Sequence, residues 1–301
     1  RVLRAVESTG YRKNMAASGL RRKRTFRVGL CVRGTADELP VFGNMSLYET
    51  LVRAAGRFSR RGYGTQLFQF ESARPLTDVS RALALSHCDG FLLVKWKRDE
   101  LEKLSFSLQE RGVPAVSLGA VAKTAIPWAV FDHPRAIREA TRLLIGKGRR
   151  EVALLNLYAG DDTEAIVAEY ESVVRESGGV PVREYVPVES AGLVRAAVRR
   201  LLDRRPGLDG VVFTENYYGT AIRAELDDRD AAIVGMGDSY FVDVSETPFP
   251  FLKLPVGAMA DWCADRLLDS VESKDPIEPE GRRFACELVE PGPAAPGEGS
   301  E

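Results

Sequence analysis

The side chains best suited to chemistry in this 301-residue chain are two histidines, four cysteines and a dense run of arginines and lysines. His133 follows Asp132 directly, so an imidazole and a carboxylate stand side by side. Acid–base catalysis would further need a hydroxyl or thiol nucleophile within reach, and no motif supplies one. The pair therefore reads as a binding or structural feature. His87, ahead of Cys88-Asp89-Gly90 at a helix end, reads as a surface residue. Cys31, Cys88, Cys263 and Cys286 are too widely spaced for a CxxC or Cys/His ligand set, which points to reduced thiols in a cytoplasmic protein and to no metal. GKGRR at Gly146 to Arg150 sits at a helix end instead of between a strand and a helix, so it reads as a C-terminal cap and not a phosphate cradle. The expectation is a protein that is not an enzyme and carries no cofactor.

The basic run is different in kind. Residues 1–27 hold nine Lys/Arg against one Glu, a balance of +8, while the remainder holds 33 basic and 42 acidic residues, a balance of −9. The total of −1 thus conceals a strongly positive opening on an acidic body. A run such as Arg21, Arg22, Lys23 and Arg24 is usually a solvated face, but its place after a small helical unit and a short helix, ahead of an acidic body, favours contact with nucleic acid. The longest apolar runs, such as Val152 to Leu157, fall far short of the roughly 20 residues that cross a bilayer, so no membrane partner is expected. The opening RVLRAVESTGYRKN also lacks the apolar core of a secretory signal.

These residues need elements to position them, and from Phe26 onward short apolar strands alternate with amphipathic helices, the pattern of parallel α/β units. FRVGLCV, YGTQLFQF, GFLLVK, PAVSLG and WAVFD read as strands, separated by helices over 46–61, 76–86 and 99–111, the last closed by Gly112. A second set repeats the scheme: EVALLNL, REYVPV, GVVFTE and AAIVGMG, with helices near 135–147, 162–177, 191–204 and 218–226. FPFLKLP, a helix over 257–273 and RRFACELVEPG depart from the alternation. Two similar lobes follow, each a parallel sheet flanked by helices. In such sheets ligands lie beyond the carboxyl ends of the strands, which selects Asn44, Trp96, Asp132, His133, Tyr158, Tyr217 and Asp238.

VLRAVESTGYRKNMAA resembles the LacI/GalR family of bacterial transcription regulators, whose pattern V-L-x-A-[IV]-E-x-x-G-Y-x-x-N-x-x-A spans the end of a helix-turn-helix headpiece and a hinge helix. The element order of the rest is similar to that family's effector domain, a periplasmic-binding-protein-like fold. The resemblance implies a repressor that binds double-stranded operator DNA as a homodimer, with the start of the headpiece preceding Arg1. It implies that Leu20 wedges between base steps in the minor groove, with Asn14 and Ala17 on the same hinge helix and Arg21 to Arg24 on phosphates. Ser18-Gly19 replaces the Arg-Ser usual before that Leu.

By the same resemblance, residues 1–25 form the headpiece end, hinge and linker. Residues 26–131 plus 255–276 form the first lobe, 132–254 plus 277–293 the second, and 294–301 a disordered tail. Asp89-Gly90, Asp132, Val234-Gly235, Asn44 and Asn216 fit the family pattern. Ile166, Tyr217 and Gly237 stand where sugar-responsive members carry hydrogen-bonding groups, so the small-molecule effector is expected not to be a standard monosaccharide. The alternative on the same lobes is a solute-binding receptor of an uptake system.

Overall fold

The computed structural model describes residues 24–35, 37, 45–119, 123–157, 160–186, 190–226, 228–237, 249–273 and 278–290. They divide into two compact units, with divisions at 46/47, 129/130, 256/257 and 282/283.

The first unit carries the sheet order β11-β5-β4-β3-β1-β2. Its strands are β1 Arg27–Arg33, β2 Gly64–Phe70, β3 Gly90–Val94, β4 Ala115–Leu118, β5 Trp128–Phe131 and β11 Gly281–Phe284. Strands β1 to β5 pair in parallel, with β1 between β2 and β3. Every residue of β3 is buried, which explains why GFLLV is continuously apolar: a central parallel strand is covered on both faces. The crossovers are α1 Met45–Arg60, α2 Leu76–Leu85 and α3 Arg98–Glu110, and α8 Val256–Glu272 returns to this unit. Gly112 takes φ +65 immediately beyond α3, the left-handed cap that its position in the sequence predicts. The core gathers Cys31, Phe70, Val79, Phe91, Leu93, Leu101, Leu104 and Ile126.

The second unit repeats the plan in the order β12-β10-β9-β8-β6-β7. Strands β6 Val152–Asn156, β7 Val182–Tyr185, β8 Gly210–Phe213, β9 Ala232–Gly237 and β10 Phe251–Lys253 are parallel, and β12 Glu287–Val289 is antiparallel to β10. Helices α4 His133–Gly146, α5 Thr163–Glu176, α6 Ala191–Arg204 and α7 Gly219–Glu225 flank it. Ser190 caps α6, its hydroxyl accepting from Leu193 N at 3.4 Å, and Pro134 in the first turn of α4 is tolerated because those N–H groups have no helical acceptor.

The single terminal segment expected from RRFACELVEPG is two short strands, one in each sheet. Residues 278–284 stay with β5, where Trp128 N donates to Glu280 O and Asp132 N to Phe284 O, both at 2.9 Å. The last division consequently falls at 282/283 instead of near Pro276. Gly146 to Arg150 is indeed a helix exit: Gly148 has φ +87 and its N–H donates to Ile145 O.

Candidate functional site

Strand β5, of the first sheet, ends at Phe131 and α4, of the second unit, begins at His133, so Asp132 occupies the cap position between strand end and helix start. Its backbone N–H is held by Phe284 O and its carbonyl accepts from Ala136 N at 3.0 Å, which leaves the carboxylate half-buried beside the positive end of the α4 dipole. His133 packs against the Phe131 ring at 5.5 Å between centroids. Its Nδ1 lies 2.8 Å from Asp162 Oδ2, and Asp162 is itself the cap residue of α5. The starts of two helices are therefore stitched together by an imidazole and a carboxylate. The second carboxylate oxygen, Asp162 Oδ1, is buried and has no hydrogen-bond partner among the described residues. An uncompensated carboxylate oxygen beside two helix N-termini suits a ligand donor such as a hydroxyl or amide.

Other strand ends of this unit are polar too. Thr214 Oγ1, just past β8, donates to Asn156 Oδ1 at 3.2 Å and accepts from Leu157 N at 2.8 Å, which locks the ends of β6 and β8 together. Tyr217, in the 3₁₀ turn Asn216–Tyr218, is 38% exposed, with its ring edge-on to Tyr218. Burial together with the charges of Asp132 and Glu139 pushes the Cys286 thiol up to about 12, so that thiol is inert at neutral pH.

The first unit treats its strand ends differently. Arg33, the last residue of β1, is 6% exposed. Its Nε and Nη2 donate to Glu100 Oε1, its Nη1 to Glu71 O and its Nη2 to Ser72 O, and the guanidinium stacks 5.2 Å over Trp96. Trp96 is 3% exposed and its indole N–H donates to Cys31 O at 3.2 Å. It belongs to the core of the first unit, whereas Asp132 and His133 stand together on the second.

Asn44, Tyr158 and Asp238 lie outside the described residues, as do Asn14, Ala17, Leu20, Arg21, Arg22 and Lys23. Arg24 is described, and its Nη2 donates to Glu272 O at 2.7 Å. His87 is exposed, as expected. Ile166 is fully buried in a core cluster with Tyr170, Leu154 and Leu144. Asp162 was missed by the sequence reading, although Asp161-Asp162-Thr163 ahead of an amphipathic run is a helix-start signal. Among the described residues no His, Cys, Asp and Glu side chains cluster as metal ligands, and no helix is long and apolar enough to cross a membrane.

Two such α/β units, preceded by a basic segment with a helix-turn-helix pattern, define the class of DNA-binding regulators built on a periplasmic-binding-protein-like body. No family model matches the chain. It is 29% identical over 300 residues to the HTH-type transcriptional regulator CelR of Thermobifida fusca, covering 92% of this chain and 84% of that protein. It is also 24% identical over 285 residues to GntR of Escherichia coli K12, covering 91% and 83%. A solved CelR–cellobiose complex superposes with a TM-score of 0.73 at 26% identity over 96% of this chain and 88% of that one. The lac repressor dimer on its operator matches in fold, with a TM-score of 0.75 at 15% identity over 93% and 98%. The chain is thus similar over most of its length to LacI-type transcriptional regulators and shares their fold, and its function is that of a DNA-binding transcriptional regulator.

Proposed function

We propose that this protein is a cytoplasmic repressor, a homodimer on a pseudo-palindromic operator, whose grip on DNA is set by a saccharide of more than one ring bound at the strand ends of the second unit. The observation that carries the ligand reading is the stitched pair His133–Asp162 with the unpartnered Asp162 Oδ1, next to Asp132 at the start of α4. Carboxylates and an imidazole at helix N-termini recognise hydroxyl groups by charge-assisted hydrogen bonds, and the partly exposed Tyr217 suits an apolar sugar face. Asn44, Tyr158 and Asp238 are proposed to complete the site. Cellobiose is the first probe because CelR, similar over most of this chain, was solved with it.

The position where sugar-responsive relatives are expected to place an arginine is Ile166, whose side chain is committed to the core and offers no hydrogen bond. Each missing partner for a buried sugar hydroxyl costs about 1–3 kcal/mol. A single ring has few other contacts to offset that loss, whereas a second ring adds them.

Dimerisation is proposed to use the first unit, where Val52 on α1 and Leu67 on the edge strand β2 are exposed at 75% and 53%, an apolar edge that soluble proteins usually cover. On DNA, paired hinges would set two Leu20 side chains at one base step.

Titration calorimetry against glucose, galactose, xylose, ribose and cellobiose tests the ligand reading. Micromolar binding of cellobiose with no measurable heat from the single-ring sugars is expected. A micromolar monosaccharide would overturn it.

A further inference from the structure

The described chain begins at Arg24, where the basic DNA-binding segment meets the body, and the first three residues are held with unusual completeness. Asp89, just before β3, offers both carboxylate oxygens to this strap. Oδ1 accepts from Thr25 N at 2.7 Å and from Thr25 Oγ1 at 2.9 Å, while Oδ2 accepts from Phe26 N at 2.8 Å. Thr25 Oγ1 in turn accepts from Arg27 N at 3.3 Å. Asp89 N donates to Arg27 O at 2.7 Å, and Gly64 N to Phe26 O at 2.9 Å.

Phe26 sits at φ +55, in the left-handed region that a non-glycine residue enters only under constraint, and its ring packs 5.7 Å from buried Tyr63. Arg24 adds its bond to Glu272 O at the end of α8. The Asp89 carboxylate contacts are not needed to close the sheet, because β1 is already paired with β2 from Arg27 and with β3 from Val28 onward. A merely tethered DNA-binding segment would need only a flexible linker. Residues 24–26 instead form a kinked, carboxylate-clamped strap.

We infer that Asp89 is a positioning residue for DNA recognition: by clamping Thr25 and Phe26 it fixes the direction in which the DNA-binding segment departs from the first unit, and so sets the half-site spacing that the dimer accepts. The inference rests on the operator-binding reading above. A rigid strap limits the span between two headpieces, so an operator of the wrong length is penalised. A loose strap raises the range of spans at the cost of effective concentration at the right one.

The test uses the complete protein, an operator selected by it from a random-sequence library, and the same operator lengthened by one base pair between its half-sites. Asp89→Ala removes all three acceptor contacts. Asp89→Asn keeps an acceptor for Thr25 but turns an amide N–H₂ toward Phe26 N–H. Wild type should lose about tenfold in affinity on the lengthened operator, and Asp89→Ala only about twofold, with Asp89→Asn between them. Binding to scrambled DNA of equal length should be the same for all three.

Trypsin cleavage after Arg24, followed by mass spectrometry without DNA, should be at least several-fold faster in Asp89→Ala while the body's unfolding midpoint stays close to wild type. An Asp89→Ala protein that keeps the full spacing penalty, or cleaves no faster, overturns the positioning role. If wild type binds no selected operator, the operator reading fails, and the cleavage rates still decide whether Asp89 clamps the strap.

Discussion

The two units share one strand plan and use the ends of their strands in opposite ways. In the first, a nearly buried arginine fills the space beyond β1 and satisfies itself on Glu100, Glu71 and Ser72 while stacking on Trp96. In the second, the starts of its first two helices carry Asp132, His133 and Asp162; a buried carboxylate oxygen without a hydrogen-bond partner among the described residues occurs in each unit, but Glu100 Oε2 belongs to a carboxylate already paired with a guanidinium, whereas Asp162 Oδ1 belongs to one paired only with an imidazole. Topology puts polar groups at the carboxyl ends of both sheets, but side chains decide whether those groups are consumed internally or kept for a ligand. The first arrangement is expected to govern stability and the second to govern binding.

The largest effect that would break this contrast is at Arg33. Arg33→Met leaves Glu100, whose side chain is 16% exposed, as an uncompensated buried charge, so unfolding in urea should show a loss of about 3 kcal/mol. Cellobiose affinity of the folded protein should be unchanged. A variant that is fully stable would mean that the first unit's strand end is not the consolidated structure described.

Next comes the converse substitution. Asp162→Asn or His133→Ala should weaken cellobiose binding by about ten- to a hundredfold, the range of one charge-assisted hydrogen bond lost, while urea unfolding shifts much less than in Arg33→Met. Equal losses in stability and binding would assign the pair to structure alone.

A smaller effect separates packing from polarity in the second unit. Tyr170 OH donates within 2.8 Å of Val152 O and accepts from Val182 N, so Tyr170→Phe should cost about 1 kcal/mol with ligand affinity intact. Burial pushes the Tyr170 hydroxyl up to about 12 from 10.0 and the Cys286 thiol up to about 12 from 9.0, and it raises Cys31 and Cys263 strongly. In each case the folded state holds its proton longer than the unfolded state. Their contribution is therefore complete below pH 9 and is lost as pH rises, first through the thiols and beyond pH 10 through Tyr170. Stability measured by urea titration should be level in this respect to pH 8 and fall above pH 9.

The smallest effect concerns the exposed ladder between α1 and α8, where Arg53, Arg57 and Arg61 meet Asp261, Asp265 and Glu272. Arg57→Ala should change the melting temperature little at low salt and not at all in high salt, since solvent screens such pairs. A clear loss in high salt would show that the ladder, and not the Arg33 cluster, consolidates the first unit.

Much of the fold was legible because period-2 and period-3.6 patterns report burial directly: GFLLV reads as a covered strand and is one. The adjacency of Asp132 and His133 was also legible, because it is local. Its partner Asp162 lies 29 residues on, and no spacing rule brings the starts of two different helices together. Trp96 shows a second limit. A tryptophan after a strand reads as an open platform, yet Arg33 folds over it and Cys31 O takes its N–H. An arginine at a strand end looks solvated until the backbone carbonyls that satisfy it are known. The terminal segment misled for a third reason, since Ala285-Cys286 splits one apparent strand into two that serve different sheets.

DNA recognition through the opening segment is tested most directly by the affinity ratio between a selected palindromic operator and scrambled DNA of equal length, measured by fluorescence anisotropy for the complete protein and its Leu20→Ala variant. A LacI-type regulator with a leucine wedge should show a ratio above about 10³ that falls by at least tenfold in Leu20→Ala, with scrambled-DNA binding unchanged. A wild-type ratio near one, or an equal loss on both DNAs in the variant, would contradict it.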